Sequence, residues 1–171
     1  MTAHYRDVVY DPSAWRWLAG ELISAAEAIE SKLDDFWSGV RSGEWNDAQV
    51  AVYFMLCAYA LENLMKAKLI EKDLSENKIS SEIRDLPKHL KGHDLVVLAE
   101  RCGRKALAEE YASILKRLSR SAVWYGRYPV PLSPASMKSI DISQQGQELI
   151  LTAYSTNDRG EVKRLLQEFG L

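Results

Sequence analysis

Apolar side chains return at steps of three and four residues from Trp15 through Leu18, Leu22, Ala25, Ile29, Leu33 and Phe36 to Val40. That period places them on one face of a helix. Ahead of the stripe, Asp11 precedes Pro12, an N-cap followed by proline at the first helical position, where a missing N–H does no harm. The pattern predicts one long amphipathic helix from Pro12, broken at Gly43. Asn46 or Asp47 can then cap a second helix running to about Lys72. Its segment Val50-Ala-Val-Tyr-Phe-Met-Leu-Cys-Ala-Tyr-Ala-Leu61 is apolar around most of the circumference, so this helix belongs in the centre of the fold.

Residues 73–92 are polar, contain Pro87 and show little periodicity, which predicts a loop holding at most one short helix. A third helix starts at His93 or Asp94 and runs to Arg101, with Leu95, Leu98 and Ala99 as its core side and Gly103 as the stop. A fourth covers residues 105–125, with Leu107, Tyr111, Ile114, Leu115, Leu118 and Ala122 on one face, and ends at Gly126 with Pro129 beyond. The prolines of residues 128–142 predict an extended segment, since each removes a donor and disfavours helix just before it. Residues 148–154 read equally as a strand or a helical turn. Ser155 to Asp158 then offer caps for a last short helix with Val162, Leu165, Leu166 and Phe169 apolar. The expected architecture is all-α: an up-and-down bundle of four principal helices with a short carboxy-terminal helix.

At 171 residues the chain suits one domain, with its core over roughly residues 12–130 and an extension beyond. Apolar residues at 47% and charged residues at 27% are ordinary globular values, which excludes disordered and fibrous classes. A formal net charge of −2 argues against a general nucleic-acid coat, but the charge is unevenly spread. Residues 11–47 carry eight acidic and three basic side chains, whereas residues 101–128 carry seven basic and two acidic. Either these stretches face each other, within the bundle or across a dimer, or the basic one forms a phosphate-binding face.

Cys57 and Cys102 have no C-x-x-C spacing, so free thiols are expected. The start, Met-Thr-Ala-His-Tyr-Arg-Asp, has no apolar signal-peptide core. The apolar run over residues 50–61 is too short to cross a bilayer, which takes about 20 residues. A cytoplasmic location without membrane partners is the expectation.

Two places carry candidate chemistry. Glu62, Asn63 and Lys66 interrupt the apolar second helix, and Glu62 and Lys66 at i, i+4 can pair. Either the helix face emerges toward solvent here, or a polar group stands at the edge of a pocket. His93, where a loop enters the third helix, is a cap-region residue, a hydrogen-bonding partner or an acid–base group. His4, His89 and His93 have no zinc-ligand spacing, and neither metal nor cofactor is expected.

The second place is Arg120-Ser-Ala-Val-Trp124-Tyr125-Gly126-Arg127-Tyr128-Pro129, where a helix ends among arginines and aromatic rings. Together with Leu61-Glu-Asn-Leu-Met-Lys66-Ala and Gly92-His93-Asp94-Leu95, it resembles the HEPN superfamily of small α-helical domains. Members that act as metal-independent ribonucleases have four to six residues between an arginine and a histidine, the pair lying near a dimer interface. Histidine there shuttles the 2′-hydroxyl proton while arginine stabilises charge on the phosphate. Counted from Arg120, those positions hold Tyr125, Gly126 and Arg127. None replaces imidazole near neutral pH, because arginine stays protonated and tyrosine titrates near about 10. Another branch, the helical domains accompanying nucleotidyltransferases, carries an Arg-Tyr-Pro here, which Arg127-Tyr128-Pro129 matches.

The resemblance implies a non-catalytic, homodimeric binding module in a bacterial defence or toxin–antitoxin-like setting. Its ligand is a nucleotide or RNA, or its partner another protein chain. Arg120 and Arg127 would hold phosphate, Trp124, Tyr125 and Tyr128 would stack a base, and Glu62 and Lys66 would line the site. The plainer alternative is that the rings pack the end of the bundle and the arginines pair with the acidic first helix. The competing expectation is a metal-independent ribonuclease, with Arg120 and Arg127 on phosphate and His93 or Glu62 transferring the proton from another helix.

Overall fold

A computed structural model describes residues 5–42, 48–80, 83–125, 140–141, 148–149 and 154–171 of the chain. The described residues are overwhelmingly α-helical. In chain order the helices are α1 (Tyr5–Val9), α2 (Pro12–Ala28), α3 (Glu30–Ser42), α4 (Ala48–Ser75), α5 (Leu95–Arg101), α6 (Lys105–Glu110), α7 (Ala112–Arg120) and α8 (Thr156–Phe169). A 3₁₀ turn at Lys88–Leu90 and a π-helical turn at Ser121–Tyr125 complete them. Short strands β1 (Ile140–Asp141) and β2 (Glu148–Leu149) pair antiparallel, Ile140 opposite Leu149.

The start of α2 forms as its sequence predicts: Asp11 accepts the Ser13 N–H at 2.9 Å and also the Ser13 hydroxyl, with Pro12 at the first turn. The single long first helix expected from the apolar stripe does not form. The chain breaks at Ile29, where Ile29 N bonds Ala26 O at 3.1 Å and Lys32 N bonds Ile29 O at 3.0 Å. These i→i−3 bonds tighten one turn and divide the helix into α2 and α3. Ala26, Ile29 and Leu33 stay in phase across the break, so the apolar pattern does not register it. The fourth helix is also divided, at Tyr111 between α6 and α7, although Tyr111 N still bonds Leu107 O at 3.0 Å.

Helix α4 is the central element. Phe54, Ala58, Ala60, Leu61, Met65, Ala67 and Ile70 have no exposed surface, and α4 touches α2, α3, α5, α7, the π turn and α8. It runs antiparallel to α2, whose Arg16 pairs with Glu71 while Ala26 lies near Tyr53 and Cys57. Ala19 and Ala26 of α2 are small and buried, which lets the two backbones approach. By length and composition residues Gln49–Ser75 would suffice to cross a membrane, but 72% of their most apolar window is buried against the rest of the fold. The run over residues 50–61 understates the helix that contains it.

The ends of α5 and α8 follow the glycine rule. Gly103 adopts φ +77°, with Gly103 N bonding Glu100 O at 2.9 Å and Arg104 N bonding Ala99 O at 3.0 Å, the paired bonds of a Schellman stop. Gly170, at φ +97°, ends α8.

Helix α8 is less peripheral than a short terminal helix. Ser155 and Asp158 form the reciprocal capping box of its first turn, and Val162, Leu165, Leu166 and Phe169 lie in the same core as α4. Just before it, the Tyr154 ring stacks on Phe54 at 3.7 Å and its hydroxyl meets Ser121 Oγ at 2.6 Å. Arg117 of α7 lays its guanidinium 5.3 Å from that ring and bonds Asp158 through both terminal nitrogens, at 2.8 Å from Nη1. Cys57 is buried and free, and Cys102, half-buried and free, donates from Sγ to Met65 O at 3.3 Å.

Candidate functional site

The i, i+4 pair on α4 does form, and it does not face solvent. Lys66 Nζ donates to Glu62 Oε1 at 2.6 Å, with the residues 4% and 6% exposed. The outward-facing reading fails because Trp15 of α2 covers this turn; its ring centre is 5.7 Å from the Lys66 ammonium. Trp15 carries the same apolar periodicity as the rest of α2, so only the crossing of α2 over α4 assigns it this second role.

His93 reaches the same carboxylate from the loop before α5. Its Nδ1 lies 3.0 Å from Glu62 Oε2 and 3.2 Å from Oε1. A carboxylate only accepts, so Nδ1 carries the proton of the neutral ring and Nε2 is the basic nitrogen. The imidazole is 56% exposed although its partner is buried. His93 is not the cap of α5: Asp94 Oδ1 accepts from Val96 N at 3.0 Å and Val97 N at 3.2 Å. Of the roles open to His93 from sequence, it stands in the cap region as the residue before the N-cap Asp94, and it makes a hydrogen bond to Glu62.

Arg120 closes α7. Its Nη1 is buried and, among the described residues, has no hydrogen-bond partner. Burial lowers the guanidinium pKa from its ordinary value, the sign expected when water is removed from a cation. Adjacent residues pin this end of α7. Ser119 Oγ accepts the Leu95 N–H at 2.9 Å and donates to Leu115 O at 2.8 Å, while Tyr59 of α4 donates from its hydroxyl to Ala122 O at 2.6 Å. A π-helical turn over Ser121–Tyr125 follows Arg120 directly.

The predicted residues thus gather in two places. Glu62, Lys66 and His93 form one hydrogen-bonded trio; Arg120 is joined to it by no hydrogen bond or ion pair among the described residues. Trp124 and Tyr125 lie in the backbone of the π turn, and their side chains fall outside the described residues, as do Arg127 and Tyr128 entirely.

Part of the uneven charge is paired through α8. Acidic Glu30 and Asp34 of α3 pair with Lys163 at 2.6 Å and Arg159 at 3.2 Å, and basic Arg117 of α7 pairs with Asp158. Among the described residues these pairs tie both stretches to α8, and no ion pair joins residues 11–47 to residues 101–125. Sequence reasoning missed Arg117 and Asp158; the available signals were an arginine in phase with Ile114 and Leu118 and an acid three residues after Ser155.

An open groove of about 530 Å³ near α6 and α8, lined in part by Arg104, Leu107, Tyr111 and Arg164, includes none of the predicted site residues. Among the described residues no three histidine, cysteine or acidic side chains gather as a metal site would require. No known family, characterised protein or solved structure matches this chain.

Proposed function

We propose that this chain is a HEPN-like, homodimeric binding module that takes the phosphate of a nucleotide or RNA at Arg120. The observation that carries the reading is the buried Arg120 Nη1 with no partner among the described residues. Removing a cation from water is costly unless an opposite charge or acceptor compensates, and a phosphate oxygen is the acceptor a guanidinium fits best. The sequence around it supports the same ligand: Trp124, Tyr125 and Tyr128 provide rings for a base, and Arg127 a second guanidinium. The family-type catalytic histidine is missing from the positions after Arg120, so the reading is one of binding. The defence-related setting rests on the resemblance alone.

The test is a titration of purified protein with fluorescent oligoribonucleotides and with nucleoside triphosphates, beside Arg120→Ala and Arg120→Lys. Wild type should bind with a salt dependence that reflects phosphate contact. Arg120→Ala should weaken binding about tenfold or more, the worth of a charge-assisted hydrogen bond of roughly 1.5–3 kcal/mol, and Arg120→Lys should restore part of it. Equal binding by wild type and Arg120→Ala would refute the site. Light scattering should report a dimer; a monomer at micromolar concentration would remove the symmetric assembly.

A further inference from the structure

We propose that His93 accepts a phosphoryl group on Nε2 from an acyl phosphate, with the imidazole itself as the nucleophile. This modification site is independent of phosphate binding at Arg120.

Its basis is an asymmetry in how the ring is held. Glu62 is buried on the central helix and gripped by Lys66, which Trp15 covers, so the carboxylate is fixed and its charge is balanced. His93 hangs its exposed ring on that fixed point through Nδ1, and among the described residues nothing bonds Nε2. Because Nδ1 carries the proton, Nε2 has a lone pair that no base needs to uncover. Asp94 supplies the cap of α5, which leaves the ring without that duty. His89 is the contrast within the same chain: its Nε2 is buried and lies 2.7 Å from Asp73, so a phosphoryl group has no room there.

The geometry also limits the chemistry. Among the described residues no serine, threonine or cysteine hydrogen-bonds to His93, so the ring has no hydroxyl or thiol to activate and acts in its own right. Phosphoryl transfer suits it, because the loose transition state asks chiefly for positioning. The Nε2 lone pair bonds to phosphorus while the bond from phosphorus to the acyl oxygen breaks, and the carboxylate departs with the electron pair. No proton moves: Nδ1 keeps its own, and Glu62 steadies the positive charge that the ring gains. The products are Nε2-phosphohistidine and a free carboxylate. The donor class follows from the leaving group. Since nothing among the described residues bonds the open side of the ring, no side chain stands ready to protonate a departing oxygen. A carboxylate leaves unprotonated near neutral pH; the alkoxide of a phosphate ester does not.

The experiment treats the purified full chain with acetyl phosphate and, in a separate arm, with a receiver domain carrying a radiolabelled aspartyl phosphate, so that a small-molecule donor is told apart from a protein one. At least one arm should place on His93 a label that resists base and is lost in acid, with phosphorus NMR assigning it to Nε2. His93→Gln, at an exposed position, should keep the fold and lose the label, whereas His89→Gln should leave it unchanged. Glu62 acts as a positioning residue, and Glu62→Gln with Lys66→Met removes both buried charges together. That double variant should slow labelling roughly ten- to a hundredfold, the worth of a charge-assisted hydrogen bond, and spread the phosphoryl group over both ring nitrogens, a change that a purely structural role would not produce. No label from either donor overturns the proposal, as does labelling of His93→Gln at the wild-type rate. Label from adenosine triphosphate alone overturns the donor class, and an unaltered rate and nitrogen in the folded double variant overturn the role of Glu62.

Discussion

Replacing Asp158 by alanine should be among the most damaging single changes to this fold. The residue is 4% exposed, and its carboxylate accepts both terminal nitrogens of Arg117, the Ser155 N–H at 2.6 Å and the Ser155 hydroxyl at 3.1 Å. Asp158→Ala takes from Arg117, itself 8% exposed, the carboxylate that balances its charge. Breaking a buried ion pair from one side costs about 3–5 kcal/mol, and losing a capping interaction about 1 more. Against a total stability of roughly 5–15 kcal/mol, that removes about a quarter of the reserve or more. A chain of this size shifts by roughly 2–4 °C per kcal/mol, so the thermal midpoint followed by far-UV circular dichroism should fall by about 10–20 °C. Arg117→Met combined with Asp158→Asn removes both charges and leaves an acceptor for Ser155, so it should be clearly milder than Asp158→Ala. A loss below about 1 kcal/mol for Asp158→Ala, the range of an exposed pair, would refute the burial of this contact. So would a double variant as unstable as the single one.

Burial pushes the Cys57 thiol up to about 12 and the Cys102 thiol up to about 11, so neither forms thiolate at neutral pH. Iodoacetamide followed by mass spectrometry should leave Cys57 unmodified in the folded protein and label it readily in denaturant; fast native labelling of Cys57 would contradict the packing of α4. At the start of α2, hydrogen bonds from the Ser13 hydroxyl and then the Ser13 amide hold Asp11 below its ordinary value of 3.8. A pKa lower in the folded state contributes stability that is fully present above the unfolded value and lost as pH falls through the folded one. Wild type should therefore lose its advantage over Asp11→Ala as pH drops below about 3.8, and an advantage independent of pH in that window would exclude the ionised cap.

What the chain alone determines are features decided within a few residues. The capping of α2 by Asp11, the stop of α5 at Gly103 and the cap of α8 around Ser155 each depend on local hydrogen bonds and backbone preference, so composition and spacing reveal them. The central place of α4 is equally legible, because a helix apolar around most of its surface has nowhere else to go. Only tertiary structure decides the remainder. The breaks at Ile29 and Tyr111 leave the apolar stripes in phase and so leave no mark on the pattern. The burial of Glu62 and Lys66 depends on Trp15 arriving from another helix, and the meeting of Glu62 with His93 joins positions 31 residues apart. Arg117 finds Asp158 across 41 residues, and Glu30 and Asp34 of α3 find Lys163 and Arg159 of α8. Each of these contacts depends on how helices cross. Local propensity favours a helix, but the partner that covers its face is settled when the whole core packs at once.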